Sequence, residues 1–439
     1  MKNLLRNLLE KLPEPLYRGL FSAYHFALSF VGALRYGFPS RRLCVIAVTG
    51  TKGKSSVVEI IRAILTEAGN KTASAGTINF CIGDECRPNK YKMTMIGRFF
   101  LQKFLREAVN KGATHAVIEM TSEGAIQHRH RFIDLDALVF TNLAPEHLER
   151  HGGLEQYAAA KLSIAWQLER SCKRPRIIVA NADDAYGRAF LAVKAEIRAP
   201  FSLKDAEPYH TDDKSAQFSW RGDRFTAPLP GLFSLKNVLA AITVCDALGV
   251  PKEAIQRAVE TPRVIPGRAE RVECGQDFTV IVDYAHTPDS LRALYETFGG
   301  NPDLHPSPQP SPREGRGGNH RRICVLGSTG GGRDTWKRPA MGAIADEMGD
   351  IAILTDEDPY DENPEEIVEA IATGFTHLTP IIIMDRRQAI AAALKEAKTG
   401  DYVLISGKGT DPYIMKAGGK KEVWSDKKVA EEELRKLFG

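Results

Sequence analysis

Nine short apolar runs, rich in valine and isoleucine, follow one another from residue 43 onwards and leave the chain few folds to choose from. They are LCVIAV, HAVIEM, LDALVF, RIIVAN, FTVIVDYAH, ICVLGS, IAILTD, PIIIMD and YVLISG. A run without polar alternation is buried on both faces. Helical stretches separate most of these runs, which predicts parallel strands in α/β layers. Ligands collect at the carboxyl ends of such strands. With 439 residues, 43% of them hydrophobic and 26% charged, the chain can bury the cores of two or three domains.

Two breaks in composition divide it. Residues 261–268 (TPRVIPGR) follow a helical stretch ending near Val259 and read as an interdomain hinge. The expected organisation is a helical extension over 1–42, a P-loop domain over 43–262 and a Rossmann-like domain over 263–439. The second break, Gly299 to Asn319, holds prolines 302, 306, 308, 310 and 312 and glycines 315, 317 and 318. Such a composition cannot build a core and predicts a disordered insertion in a surface loop.

In the extension, Leu4, Leu5, Leu8, Leu9 and Leu12 share one helical face before Pro13 and Pro15 end the pattern. Gly19 to Leu34 is uncharged and aromatic-rich, and falls short of the ~20 residues that span a bilayer. The segment reads as a helical hairpin packed on the next domain. The alternative is a peripheral membrane contact through residues 1–40, favoured by a surplus of five positive charges over residues 1–42. The apolar run is late and no small-residue cleavage site follows, so no signal peptide is expected.

Overall, 59 basic residues stand against 55 acidic ones, too even a balance for a protein that coats nucleic acid. The seven cysteines are odd in number and scattered, which argues against a disulfide framework or a zinc ribbon. A cytoplasmic protein is expected, one that can work at the inner face of the membrane.

The run CVIAV leads into Thr49-Gly50-Thr51-Lys52-Gly53-Lys54-Ser55-Ser56 and then into a helical stretch. Strand, glycine-rich loop and helix form a P-loop in context: backbone amides face phosphate, Lys54 reaches the β and γ phosphates, and Ser55 can ligate magnesium. Val48 occupies the place of the usual first glycine. A nucleoside triphosphate, ATP, is the expected ligand. Glu119 ends HAVIEM, where an acid beside a P-loop serves magnesium, although acids at strand ends are often structural. His147 follows another strand, and Lys161 lies in a helix, where a lone lysine is usually solvated.

TGTKGKSS, IEMTSEGAIQHRH, FTNLAPEHLERHG with YAAAK, LPGLFSLKNVLAA, PGRAERV, VDYAHTPDSL, GSTGGGRDTWKRPAM and GKGTDPY occur in an order that resembles the Mur ligases. Within that family the likeness is to the branch that adds the third residue of the peptidoglycan stem peptide. The resemblance covers about residues 43–435. It implies that ATP phosphorylates a carboxylate of a UDP-muramoyl-peptide and that an amino acid's amine attacks the acyl phosphate. Two magnesium ions would balance the charge. It assigns Gly50, Thr51, Lys52, Gly53, Lys54, Ser55 and Ser56 to the triphosphate, and Ser55, Glu119, His147 and a carbamylated Lys161 to the metal. Asn237 would contact the adenine side, Arg268 the γ-phosphate, Asp283 the ribose, and His286 would lie near the base. Thr94, Ser122, Gln127 and Arg129 match acceptor-binding positions. Arg333 matches the arginine that grips the incoming amino acid's carboxylate, and Asp358, Tyr360, Gly407 and Asp411 fall in the same pocket. The ATP would sit between two domains that close on it.

The sequence departs from the family in several places. Where diaminopimelate-adding enzymes carry D-N-P-R, the chain has Glu357-Asp358-Pro359-Tyr360, and G-K-G-H-E becomes Gly407-Lys408-Gly409-Thr410-Asp411. With Asp356, Asp361 and Glu362 nearby, the pocket is expected to suit a cationic side chain such as lysine or ornithine, with diaminopimelate still open. Glu146 and Glu123 replace a usual aspartate and histidine. The 42 residues before the first strand are too few for the family's UDP-binding domain, which leaves open a partner that supplies it or a lipid-linked acceptor. A cyanophycin- or polyglutamate-type ligase and a non-catalytic ATP-binding membrane scaffold are the other readings.

Overall fold

The computed structural model describes residues 14–146, 148–299, 320–332 and 334–439. The predicted helix at Asn3–Leu12, most of the predicted insertion, His147 and Arg333 lie outside the described residues. The chain forms two compact units, one over Met1–Ala144, His151–Asp205 and Lys236–Val259, the other over Pro145–Arg150, Ala206–Leu235 and Glu260–Gly439.

The first unit is built on eight strands: β1 (Cys44–Thr49), β2 (Thr72–Ala75), β3 (Asn79–Ile82), β4 (Glu85–Pro88), β5 (His115–Glu119), β6 (Ala137–Phe140), β7 (Ile177–Asn181) and β8 (Ile197–Phe201). They pair in the order β4-β3-β2-β5-β1-β6-β7-β8. All are parallel except β3 and β4, which form an antiparallel edge. The P-loop strand β1 is central, with Val45, Ile46, Ala47 and Val48 fully buried. Its neighbours β5 and β6 therefore deliver their carboxyl ends to either side of the loop, with Val48 in register with Glu119 and Thr49 with Phe140.

The scattered cysteines include one local pair. Cys81 and Cys86 face each other across β3 and β4 and are joined by a disulfide. Two cysteines five positions apart meet this way when a hairpin turn lies between them, a local pairing that a search for a wider cysteine framework passes over. Pro15 lies in the first turn of α1 (Glu14–Arg35), where its missing N–H leaves no bond unmade. α1 packs His25, Ser29 and Ala33 inward, and Phe26 and Phe30 set their edges on Phe132 at 5.1 and 5.3 Å. No helix among the described residues is long and apolar enough to cross a membrane.

The second unit carries a small antiparallel sheet, β9 (Tyr209–Thr211), β10 (Ala216–Trp220) and β11 (Asp223–Ala227). Its main sheet comprises β12 (Glu270–Arg271), β13 (Thr279–Asp283), β14 (Arg322–Leu326), β15 (Ile351–Leu354), β16 (Ile381–Ile382) and β17 (Tyr402–Ser406), ordered β12-β13-β17-β14-β15-β16. Only β12 is antiparallel. A hairpin, β18 (Tyr413–Met415) and β19 (Lys421–Val423), follows. PIIIMD, expected as a buried strand, is reduced to the two residues of β16, about half exposed, because an edge strand has a neighbour on one side only.

Candidate active site

Two glycines give the P-loop its shape. Gly50 and Gly53 have φ of 146° and 81°, in the left-handed region that side chains avoid. A Cβ on Gly50 would come within 2.0 Å of Thr141 Oγ1, and one on Gly53 within 2.1 Å of Asn237 Oδ1. Asn237, expected at the adenine side, thus packs directly on the P-loop. Thr141 Oγ1 donates to the Lys52 carbonyl at 2.7 Å, and the Lys52 amide donates to Asn142 Oδ1 at 2.8 Å. The loop opens into α2 (Lys54–Glu67), whose N-terminus has no side-chain cap, and a helix N-terminus presents its first-turn amides and partial positive charge towards an anion. Lys54 Nζ folds over the loop and donates to the Thr51 carbonyl at 2.9 Å.

Beside this loop, Glu119 is 2% exposed. Its Oε2 accepts from Ser55 Oγ at 3.1 Å, from the Thr77 amide at 2.9 Å and from Thr77 Oγ1 at 3.0 Å. Gly76 makes room, since a Cβ there would lie 2.9 Å from that oxygen. A hydroxyl and a carboxylate at this spacing are hard oxygen donors and fit magnesium. Lys161, in α5 (Leu154–Glu169), is also 2% exposed. Its Nζ donates to the Gly50 carbonyl at 2.6 Å and lies 4.5 Å from the centre of the Tyr157 ring. Lys161 is therefore not one of the solvated lysines usual on helices. An unmodified ammonium repels a cation, so Lys161 fits a metal site only as its carbamate. Tyr157 in turn sets its hydroxyl 3.2 Å from Thr51 Oγ1.

The four acceptor candidates come from two segments, Thr94 from the stretch before Arg98 and Ser122, Gln127 and Arg129 from the helix Ser122–Ile126 and the turn after it, and Arg129 joins the two at Met95. Thr94 Oγ1 sits 2.7 Å from Thr77 Oγ1, the residue that holds Glu119. Arg129 donates to the Met95 carbonyl and, through Nη2, to Gln127 Oε1 at 2.7 Å. Ser122 is buried at the start of a short helix, Ser122–Ile126, in which Gly124 closes on Met95, leaving no space for a Cβ.

In the second unit, the neighbouring strands β13 and β17 place Asp283 in register with Ser406, so the loops after them meet. Asp283 accepts from the Ala269 and Ala285 amides, both at 2.6 Å. The Arg268 guanidinium lies 4.4 Å from the centre of the Tyr284 ring. His286 Nε2 is 3.0 Å from Glu146 Oε1, so the glutamate that replaces the usual aspartate is engaged with a predicted nucleotide residue. Gly267 packs on Gly409 and the Thr410 amide too closely for a Cβ. The Asp411 carboxylate, and then burial, push the Tyr284 phenol well above its ordinary pKa.

The predicted cationic-side-chain pocket has a different electrostatic balance from the one its sequence implies. Asp358 pairs with the fully buried Lys408 at 2.9 Å and accepts from the Met415 amide at 2.7 Å. Asp356 pairs with Lys416, and Glu362 with Arg338 at 2.7 Å. Asp361 caps the Gly418 amide at 2.7 Å. The acidic run is thus largely spent on the protein's own donors. Glu357 is held by the Thr329 hydroxyl at 3.1 Å, and burial raises its pKa. Its other oxygen lies against Gly407, where a Cβ would meet it at 2.2 Å. Tyr360 packs its ring against Gly331, which brings the predicted tyrosine to the glycine loop before Arg333.

Sequence reasoning passed over Thr77, Thr141, Asn142, Tyr157 and Lys408. Thr141, Asn142, Tyr157 and Lys408 fall inside motif blocks. Thr77 follows β2 with no motif around it, and only the pairing of β2 with β5 brings it to Glu119.

Comparison with known proteins follows the same division. The Mur ligase middle domain matches residues 48–245, and the Mur ligase glutamate ligase domain matches residues 311–409. The UDP-N-acetylmuramoyl-L-alanyl-D-glutamate–2,6-diaminopimelate ligase of Syntrophomonas wolfei is 36% identical over 421 residues, 93% of this chain and 82% of the relative. A solved structure of a ligase with the same title aligns with a TM-score of 0.59 at 27% identity, over 90% of this chain and 79% of that one. Mycobacterium tuberculosis folylpolyglutamate synthase, solved with ADP and AMPPCP, aligns with a TM-score of 0.68 at 17% identity, over 99% of this chain and 98% of that one. At that identity the likeness is one of fold alone.

Proposed function

The chain belongs to the Mur ligase family, and from that premise we propose that it joins an amino acid to UDP-N-acetylmuramoyl-L-alanyl-D-glutamate, adding the third stem-peptide residue. It is an ATP-dependent, ADP-forming amide ligase of peptidoglycan synthesis that uses magnesium. The observation that carries the site is the meeting of Ser55, Glu119 and Lys161 around the P-loop.

In the proposed reaction, a carboxylate oxygen of the acceptor attacks the γ-phosphorus of ATP and ADP leaves. The amine of the incoming amino acid then attacks the acyl carbon, loses a proton, and phosphate departs as the amide forms. Lys54 and the amides of Gly53, Lys54 and Ser55 hold the triphosphate as negative charge moves onto the β-phosphate. Magnesium, when bound, neutralises phosphate charge and orients the γ-phosphoryl group. Ser55, Glu119, His147 and carbamylated Lys161 are the proposed holders of two such ions. Asn237, Arg268, Asp283 and His286 are assigned to the nucleotide, Thr94, Ser122, Gln127 and Arg129 to the acceptor, and Arg333, Asp358, Tyr360, Gly407 and Asp411 to the amino acid.

For the amino acid we take 2,6-diaminopimelate, the substrate named for the relatives. The neutralised acids at 356–362 remove the electrostatic argument for a purely cationic side chain. The test is ADP release and product mass with the UDP-linked dipeptide and diaminopimelate, lysine or ornithine, offered singly. Diaminopimelate should give turnover; turnover with lysine or ornithine alone would overturn the choice.

A second reading, peripheral membrane contact through residues 1–40, is favoured by α1, which leaves Leu20, Tyr24, Phe30, Val31 and Leu34 exposed. Serine at Leu20, Tyr24 and Val31 should reduce co-flotation with anionic vesicles, and unchanged flotation would dispose of the contact.

A further inference from the structure

Beside the acceptor candidates stands a cluster of basic side chains, Arg98, Arg129, His25 and His128. Arg98 opens α3 (Arg98–Asn110), where the helix N-terminus adds its own partial positive charge. Its Nη2 contacts His25 Nδ1 of α1 and donates to the Gln127 carbonyl at 3.1 Å. Arg129 is tied to Gln127 and Met95. His128 sits between them, its Nε2 2.7 Å from Ser22 Oγ, while Ser29 donates to the His128 carbonyl at 2.8 Å. Residues 22, 25 and 29 lie on one face of α1, so this helix is docked on the acceptor loop by its polar stripe.

Among the described residues, neither Arg98 nor Arg129 makes an ion pair with a carboxylate, and Glu123 is the one acid whose charge Arg129 feels. Arg98 Nε, Arg129 Nε, His25 Nε2 and His128 Nδ1 are buried with no hydrogen-bond partner. The Arg129 charge depresses the pKa of Arg98, and Arg98 and Arg129 depress that of His25, after burial. Clustered cations with idle donors are costly unless an anion joins them.

We propose that His25, Arg98, His128 and Arg129 form a binding site for the diphosphate of the acceptor, with α1 supplying part of it. Two guanidinium charges match a phosphate dianion better than one carboxylate, and the N-terminus of α3 favours the same ligand. The inference rests on the acceptor reading above and adds to it Arg98 and His25, which the family blocks do not include. A diphosphate carried by a nucleotide or by an isoprenyl lipid presents the same chemistry.

The test is calorimetric titration of the full chain, without ATP or amino acid, with four ligands. These are UDP-muramoyl-dipeptide, its isoprenyl-diphosphate counterpart in detergent, the same muramoyl-dipeptide lacking diphosphate, and inorganic pyrophosphate. Arg98→Gln should weaken the diphosphate-bearing acceptor and pyrophosphate about tenfold or more, leave the diphosphate-free ligand unchanged, and be partly rescued by Arg98→Lys. His25→Gln should shift affinity in the same direction. Unchanged unfolding midpoints would separate this from a folding defect. An equal loss for the diphosphate-free ligand, no loss at all, or a wild type that binds neither the acceptors nor pyrophosphate would overturn the inference. Arg98-dependent binding of pyrophosphate without binding of either acceptor would sustain the anion site and sink the acceptor reading instead. The tighter of the two carriers identifies the natural one.

Discussion

Ser55 Oγ donates to Glu119 Oε2 across 3.1 Å, although 64 positions separate the two residues. The contact exists because β1 and β5 are adjacent and parallel, with Val48 beside Glu119. A P-loop hydroxyl and a strand-end acid are thereby fixed at the spacing a magnesium ion needs.

Thr77 holds the same Glu119 oxygen through both its amide and its hydroxyl. Thr77→Val keeps the shape and the amide but removes one bond. Magnesium affinity or turnover should drop about 10- to 100-fold, the usual effect of losing a partner behind a metal ligand. A magnesium titration of ADP release reads this, and an unchanged midpoint and rate would remove Thr77 from the metal site.

Lys161 should carry a carbamate in the active protein. With ¹³C-bicarbonate present, a carbamate resonance should appear that is absent from Lys161→Arg, and that variant should lose turnover by about 100-fold or more. Full activity of Lys161→Arg would contradict the assignment.

Asp358→Asn strips the fully buried Lys408 of its nearest countercharge. Asp411 at 3.6 Å and the Tyr413 carbonyl remain, so the loss should be about 3 kcal/mol, at the low end for breaking a buried pair. Urea unfolding measures it. A change in amino-acid preference at unchanged stability would return Asp358 to a substrate-reading role.

Acid should weaken the first unit through its histidines. Burial pushes His130 down to about 3, and burial with the Arg98 and Arg129 charges takes His25 to about 4, against about 6.5 in the unfolded chain. Between these values the unfolded chain binds protons that the folded chain refuses. Stability present above about pH 6.5 is therefore lost as pH falls towards 3 to 4. At pH 4.5 the His130 share is about 3 kcal/mol. His130→Leu should flatten the fall between pH 7 and 4.5 relative to wild type, and parallel curves would contradict the assigned titration.

The layered α/β fold was legible because its parallel strands are buried on both faces and leave continuous apolar runs. The runs from LCVIAV to YVLISG all became strands, with PIIIMD cut to an exposed edge pair. The antiparallel strand β4 and the disulfide it makes with β3 were not legible, since ECRP is exposed along its length and carries no apolar pattern. At the site, Lys54, Ser55 and Glu119 were readable from local motifs. Thr77 and His25 were not, because what brings them in is strand order and helix docking. The acidic run at 356–362 misled for a related reason: its counterions, Lys408 and Lys416, come from a distant segment.

The account stands most directly on whether an acceptor oxygen passes into phosphate. The acceptor's reacting carboxylate would be labelled with ¹⁸O and turned over with ATP, magnesium and diaminopimelate, and the released phosphate analysed by ³¹P resonance. One ¹⁸O per phosphate, formed only when acceptor and amino acid are both present, is the predicted result. Unlabelled phosphate, or phosphate released without amide product, would contradict an acyl-phosphate ligase.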